Sequence, residues 1–414
     1  METRCFSRLW HAAMLAVLTS STLALGASEV PVVTLSHGFD PGRAQQLETL
    51  VERFNATDGK GRVSVVTDPA AADSAVIRIV QGEAERALRQ RGAFRPLYQV
   101  MADAGLSLGR DRGLTAYDRD TLDARGRRVA LPVGLHTPVL FINRRAFQEA
   151  GLDPNAPPRT WHALQEALGK LFDAGHACPY TVSRPSWVMV DNVSARQNVA
   201  VTRRVGRSEQ LSVNGMLQIR HIALMASWVR ARYLHLYGAG GEPAARFARG
   251  ECAVIAAESA DWPALRQAAA FDVGVGELPF YDDFPGGIGA TLADGPTLWV
   301  AKDKKRADYQ VAARFVRFLL KPENQLAWQR GTGYLPLDEK GGVAEGGIAE
   351  DQPNLVVARK QLSVDSKLTA AASELPRQAR VRSILEEELD GVWADRQPAK
   401  QALDNAVART GGGL

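Results

Sequence analysis

The stretch "LPVGLHTPVLFINRRAFQEAGLDPNAPPRTWHAL", Leu131 to Leu164, decides whether this chain folds as one body or two. The apolar run Val139 to Ile142 reads as a strand. Asn143 can cap a short helix from Arg144 to Ala150 that Gly151 ends, and Pro157, Pro158 and Thr160 prepare a second helix start. No catalytic motif lies in it. Taken alone, Leu131 to Thr137 reads as an ordinary loop within one domain.

Upstream, "VPVVTLSHGF" reads as a strand, "GRAQQLETLVERFNATD" as an amphipathic helix and "GRVSVVT" as a second strand. "ADSAVIRIV" adds a third strand and "GEAERALRQRGAFRPL" a helix ending in a turn. This alternation favours a mostly parallel sheet with helices on its faces. Downstream of Val139 it restarts: a helix from Trp161 to Ala174, a strand around Cys178 to Val182, a helical region from Leu217 to Val229, and the strand "CAVIAAES". "FDVGVGELPF" and "GPTLWVAKD" follow as strands, then the helix "ADYQVAARFVRFLLK" and further helices at Pro322 to Trp328 and Ser383 to Trp393. At 414 residues the chain exceeds what one core usually organises, so two α/β lobes are expected.

The first 27 residues carry Arg4 and Arg8, then an apolar run from Ala12 to Leu25, then small residues ending at Ala27, the pattern of a cleaved export signal. The run is shorter than the roughly 20 apolar residues a membrane span needs. Of the formal net charge of +4, the signal's Arg4, Arg8 and Glu2 account for +1, leaving +3 for the exported chain. That surplus is too small, and basic residues with interleaved aromatics too scattered, to indicate nucleic acid. Once Cys5 leaves with the signal, Cys178 and Cys252 remain; an oxidising compartment would allow them to pair, with two separate buried thiols as the alternative. His176 near Cys178 lacks metal-ligand spacing, so no metal or other cofactor is expected.

Six segments, in order, carry a resemblance: "TPVLFINRRAFQEAGLDPNAPPRTWHAL", "RGECAVIAAES", "FDVGVGELPF", "DGPTLWV", "FLLKPENQLAWQRGTGYLPL" and "ILEEELDGVWADRQPAKQALDNAV". Over nearly the whole exported chain this pattern resembles the periplasmic solute-binding proteins of ABC importers, within them the family serving sn-glycerol 3-phosphate uptake. The resemblance implies the two-lobed periplasmic binding protein fold of type II, with the ligand in the interlobe cleft. Residues 28–133 with 275–322 would form the first lobe and 138–272 with 323–414 the second. Leu131 to Thr137 then becomes a hinge crossing, helped by Pro132 and Gly134, with another crossing near Phe271 to Phe280.

Carried over residue by residue, the implied ligand contacts are His136, Trp187, Glu258, Gly295, Tyr334 and Arg382. Trp187 would form a flat wall under a polyol, Gly295 would let a backbone N–H approach the ligand, and Tyr334 would offer a hydroxyl. Arg382, with Arg380 in reserve, would present a fork to a phosphate. The chain departs from the family in three places. The loop after the second strand, "TDPAAADSA", lacks the family's tyrosine. The family's ligand carboxylate falls at Gly82, with Glu83 beside it. Two serines are replaced by His136 and Glu258. A carboxylate beside a phosphate is unfavourable unless a cation compensates, a role His136 would fill if protonated.

The implied function is capture of a small polyol-type ligand, sn-glycerol 3-phosphate or a glycerophosphodiester, in the periplasm by a monomer that delivers it to membrane permease subunits. A neutral sugar is the alternative within this class. A glycoside hydrolase using Glu258 and Asp261, or a two-lobed receptor for a protein, are alternatives outside it. No GxSxG, HExxH or phosphate-loop motif supports an enzyme.

Overall fold

The computed structural model describes residues 30–410, apart from 83, 84, 86, 87, 90, 107, 109–120, 124, 207, 239, 337–350 and 369–378. The expected export signal and Glu83 lie outside the described residues. Five strands lead the chain into its first sheet: β1 (Val32–His37), β2 (Arg62–Val66), β3 (Ile77–Val80), β4 (Phe94–Arg95) and β5 (Leu131–Pro132). A second sheet takes β6 (Pro138–Asn143) and β7 (Cys178–Val182). A separate hairpin, β8 (Thr202–Val205) with β9 (Ser208–Leu211), precedes β10 (Leu234–His235), β11 (Cys252–Glu258) and β12 (Val273–Glu277), which complete the second sheet. The chain then returns to the first sheet as β13 (Thr297–Ala301). Strand orders are β2-β1-β3-β13-β4, with β5 also on β13, and β10-β7-β11-β6-β12. The expected two α/β lobes are both present.

Local sequence explains the elements. Asp40 caps the helix Pro41–Thr57 by accepting from the Arg43 amide at 3.1 Å, with Pro41 fixing the first turn. Leu47, Leu50, Val51 and Phe54 recur at helical spacing and are buried, Phe54 packing edge-on against Phe315 and Phe318. Asn143 and Thr160 cap their helices as the sequence predicts, accepting from the amides of Ala146 and Ala163, both at 3.1 Å. Every residue of β6 is buried because this strand lies between β11 and β12 with both faces covered. Cys178 and Cys252 are register partners on neighbouring β7 and β11 and form a disulfide, Cα to Cα 4.5 Å.

The first crossing falls where the sequence placed it: Leu131 and Pro132 pair with β13 in the first sheet, and Pro138 opens β6 in the second. Two expected boundaries need correction. Strand β12, assigned from residue 275 to the first lobe, pairs antiparallel with β6 along Val273–Glu277 and belongs to the second. The return crossing is therefore not at Phe271 to Phe280 but just before β13: Asp294 exchanges backbone hydrogen bonds with His136 (both 3.0 Å), and Val133 N–H donates to the Pro296 carbonyl at 2.9 Å. The helix Pro322–Thr332, assigned to the second lobe, packs on the helix Pro41–Thr57 of the first. Its Trp328 indole N–H donates to the Val133 carbonyl at 2.6 Å. A third segment, Tyr334–Leu335, then lies along the hinge, Leu335 N–H donating to the Leu135 carbonyl at 2.9 Å. The later helices Ala379–Trp393 and Ala399–Arg409 pack on Met216–Arg230 in the second lobe, as expected.

Candidate ligand cleft

Backbone register gathers most of the predicted residues at the hinge. Glu258 ends β11 opposite Pro138, which places it two residues along from His136. His136 is fully buried, its Nε2 3.5 Å from Glu258 Oε2 and 3.4 Å from Gln81 Nε2. Its ring meets Trp187 edge-on at 5.7 Å and Tyr334 at 6.0 Å. Trp187 opens a π-helical turn, Trp187–Asn192, whose Asn192 side chain donates to the Trp187 carbonyl (3.1 Å) and accepts from Leu292 N–H (2.8 Å), tying the turn to the return crossing.

Burial outweighs the attraction of Glu258 and Asp294 and pulls the His136 pKa down, so the imidazole is neutral near pH 7. Protonation, the condition under which His136 would compensate a phosphate, is disfavoured in this environment. Its Nδ1 has no hydrogen-bond partner among the described residues.

Gly295 is at the site in a different capacity. Its N–H donates to the side chain of Asp294 at 2.8 Å, and a Cβ there would sit 1.8 Å from the Gly134 carbonyl oxygen. A Cβ on Gly134 would in turn lie 2.5 Å from the Tyr334 ring. The two glycines let three hinge segments pack face to face; the N–H expected to reach a ligand is already engaged. Tyr334 is buried between this hinge and Arg43, whose guanidinium carbon lies 5.1 Å from its ring centroid.

Arg382 is also engaged. It donates to Ser186 Oγ at 2.9 Å and to the fully buried carboxylate of Asp191 at 3.0 Å, inside the second lobe. Its reserve, Arg380, is exposed. Among the described residues, the cations at the hinge are instead two arginines absent from the expected set. Arg184 donates to Glu258 Oε1 at 3.0 Å and to Asp294 Oδ2 at 2.9 Å, its guanidinium carbon 4.2 Å from the Trp187 ring centroid. Arg43 reaches across from the first lobe to the Ala260 carbonyl (2.9 Å) and Asp261 Oδ1 (3.3 Å). Burial and the neighbouring Glu258 push Asp261 up to about 7, against the pull of Arg43. Faint signals existed: Arg184 stands three residues before Trp187, Asp294 precedes Gly295, and Arg43 is a cation in the first turn of a helix, where the dipole disfavours it.

Among the described residues, two buried aromatic rings, a neutral imidazole and three carboxylates, two of them held by one guanidinium, bring flat apolar faces and hydrogen-bond acceptors together at one place. Among the described residues no helix is long and apolar enough to cross a membrane.

Comparison with known proteins agrees with this picture. Residues 51–341 match the family model described as bacterial extracellular solute-binding protein. The sn-glycerol-3-phosphate-binding periplasmic protein of Pectobacterium atrosepticum is 29% identical over 95% of this chain and 94% of its own length. Among solved structures, the cyclic α-maltosyl-1,6-maltose binding protein from Arthrobacter globiformis superposes with a TM-score of 0.68 at 21% identity, covering 92% of this chain and 97% of its own. UgpB from Mycobacterium tuberculosis in complex with glycerophosphocholine gives 0.68 at 18% identity, covering 91% and 96%. The fold is the two-lobed type II periplasmic binding protein fold. With its family model matched across both lobes and a relative aligned over nearly its full length, this chain belongs to the bacterial extracellular solute-binding protein family.

Proposed function

We propose that this chain is the periplasmic capture component of an ABC importer, exported by a signal ending near Ala27, which takes a glycerophosphodiester in preference to sn-glycerol 3-phosphate and presents it to membrane permease subunits. The ligand would sit between the lobes against His136, Trp187, Glu258 and Tyr334, with Arg184, Asp294 and Arg43 added to the expected set. Contacts to both lobes stabilise the closed arrangement, which is the form a permease distinguishes.

The observation that carries the choice of ligand is the charge inventory. Arg184 is held by Glu258 and Asp294, and Arg43 by Asp261 and Asp40. A phosphate monoester brings close to two negative charges at pH 7, and next to these carboxylates the second charge has no compensating cation among the described residues. A diester brings one, and its glycerol hydroxyls find acceptors in Glu258 and Asp294. The relatives support the polyol phosphate class, one by its name and one by the glycerophosphocholine it holds. A neutral sugar is the second reading, favoured by acidic acceptors beside an indole and by the maltose-type ligand of a structural neighbour.

Calorimetric titration of the exported form with glycerophosphoglycerol, sn-glycerol 3-phosphate and a maltooligosaccharide panel separates them. The diester is expected to bind more tightly than the monoester. Binding of a neutral sugar, with both phosphates ignored at millimolar concentration, would replace the phosphate reading.

A further inference from the structure

Trp187 belongs to the proposed ligand site yet is only 2% exposed, and one of its covers is the chain's own Arg184. The guanidinium rests on the indole face at 4.2 Å and donates one hydrogen bond each to Glu258 and Asp294. An aromatic face flanked by two carboxylates is the chemistry that receives an organic cation. Three separate elements build it: the end of β7 leads to Arg184, β11 ends at Glu258, and the return crossing supplies Asp294. His136, fully buried beside the same indole, leaves its Nδ1 without a partner among the described residues, so polar capacity remains for a ligand atom.

We infer that Arg184 determines the headgroup specificity of this cleft: it is a built-in cation that occupies the place on Trp187 where a ligand's ammonium group would otherwise bind. This rests on the reading of the cleft as the ligand site, and narrows it. The diesters admitted are those with hydroxyl-bearing headgroups; a choline headgroup meets Arg184 already seated between Glu258 and Asp294, and like charge excludes it. Charge removal at Arg184 frees both carboxylates toward the indole and reverses the preference.

The test uses the full exported chain and measures a ratio, which a general loss of packing leaves unmoved. Wild type, Arg184→Met and Arg184→Lys are titrated with glycerophosphoglycerol, glycerophosphocholine and free choline. Arg184→Met removes the guanidinium from the indole face and keeps an unbranched side chain of similar length. Its preference is expected to shift toward the choline ester by about tenfold or more, with measurable choline binding that wild type lacks, while Arg184→Lys keeps the wild-type order. If Arg184→Met does not fold, Arg184→Gln is read in its place. An unchanged ratio together with no gain of choline binding in a folded variant overturns the inference. Wild type that ignores both diesters counts against the proposed ligand class instead, and the choline titration of the variant still decides the role of Arg184.

Discussion

Two arginines border the Trp187 turn, and they hold different kinds of carboxylate. Arg382 is paired with Asp191, which has no exposure, and with Ser186, all within one lobe. Arg184 bridges Glu258 and Asp294, whose side chains are 19% and 16% exposed, at the passage between lobes. Removing the first cation takes a guanidinium away from a fully buried carboxylate, so the pair contributes chiefly to structure. Loosening the second exposes two carboxylates that water or a ligand hydroxyl reaches, so the pair is available to ligand chemistry. An arginine's suitability for an anion thus depends less on its own position than on how deeply its present partner is buried.

The largest expected effect lies on the Arg382 side. Arg382→Ala should cost about 3 to 5 kcal/mol of stability, because Asp191 keeps its burial and loses its guanidinium. Urea unfolding measures this, and ligand affinity of the folded fraction should stay near wild type. A stable variant that has lost ligand binding would exchange the roles of the two arginines.

Next in size is Glu258→Gln, which keeps the shape and removes one anchor of Arg184. Binding should weaken by about 1.5 to 3 kcal/mol, the worth of a hydrogen bond involving a charged group, with stability changed by about 1 kcal/mol or less. Equal affinity of variant and wild type in calorimetry would remove Glu258 from the ligand's surroundings.

The last effect is a dependence on pH and concerns Asp261, across the lobes from Arg43. Its folded-state pKa of about 7 lies above the ordinary carboxylate value, so the native state holds a proton that the unfolded chain has released. The corresponding stability is fully present below about pH 4 and is lost as pH rises through about 7. Melting curves from pH 5 to 8 should fall more steeply for wild type than for Asp261→Asn. Parallel curves would mean that Asp261 titrates normally.

How much of this was legible follows from the range of each interaction. The hinge at Leu131 to Thr137 could be read because its signals are local: a proline, a glycine and an apolar run that restarts. Strand β12 was placed in the wrong lobe because alternation of elements does not say which sheet an antiparallel strand joins, and its partner β6 lies more than a hundred residues earlier. Helix Pro322–Thr332 was misplaced for the same reason; Trp328 declares its lobe through its bond to Val133 and its packing against Phe39. Of the expected contacts, His136, Trp187, Glu258 and Tyr334 gather at the hinge, whereas Gly295 serves packing and Arg382 serves Asp191. Arg184 went unnoticed because an arginine in "SRPSW" looks like any surface charge until Asp294, 110 residues away, is beside it.

Hydrogen–deuterium exchange with and without a saturating glycerophosphodiester tests most directly that ligand is held at the interlobe passage rather than at the Arg382 pair. Added protection is expected in peptides covering Val133 to Thr137, Ala256 to Asp261 and Leu292 to Pro296, with little change in Val381 to Leu389. Protection confined to the Val381 to Leu389 helix and the Ser186 to Asp191 turn, with the hinge peptides unchanged, would contradict it.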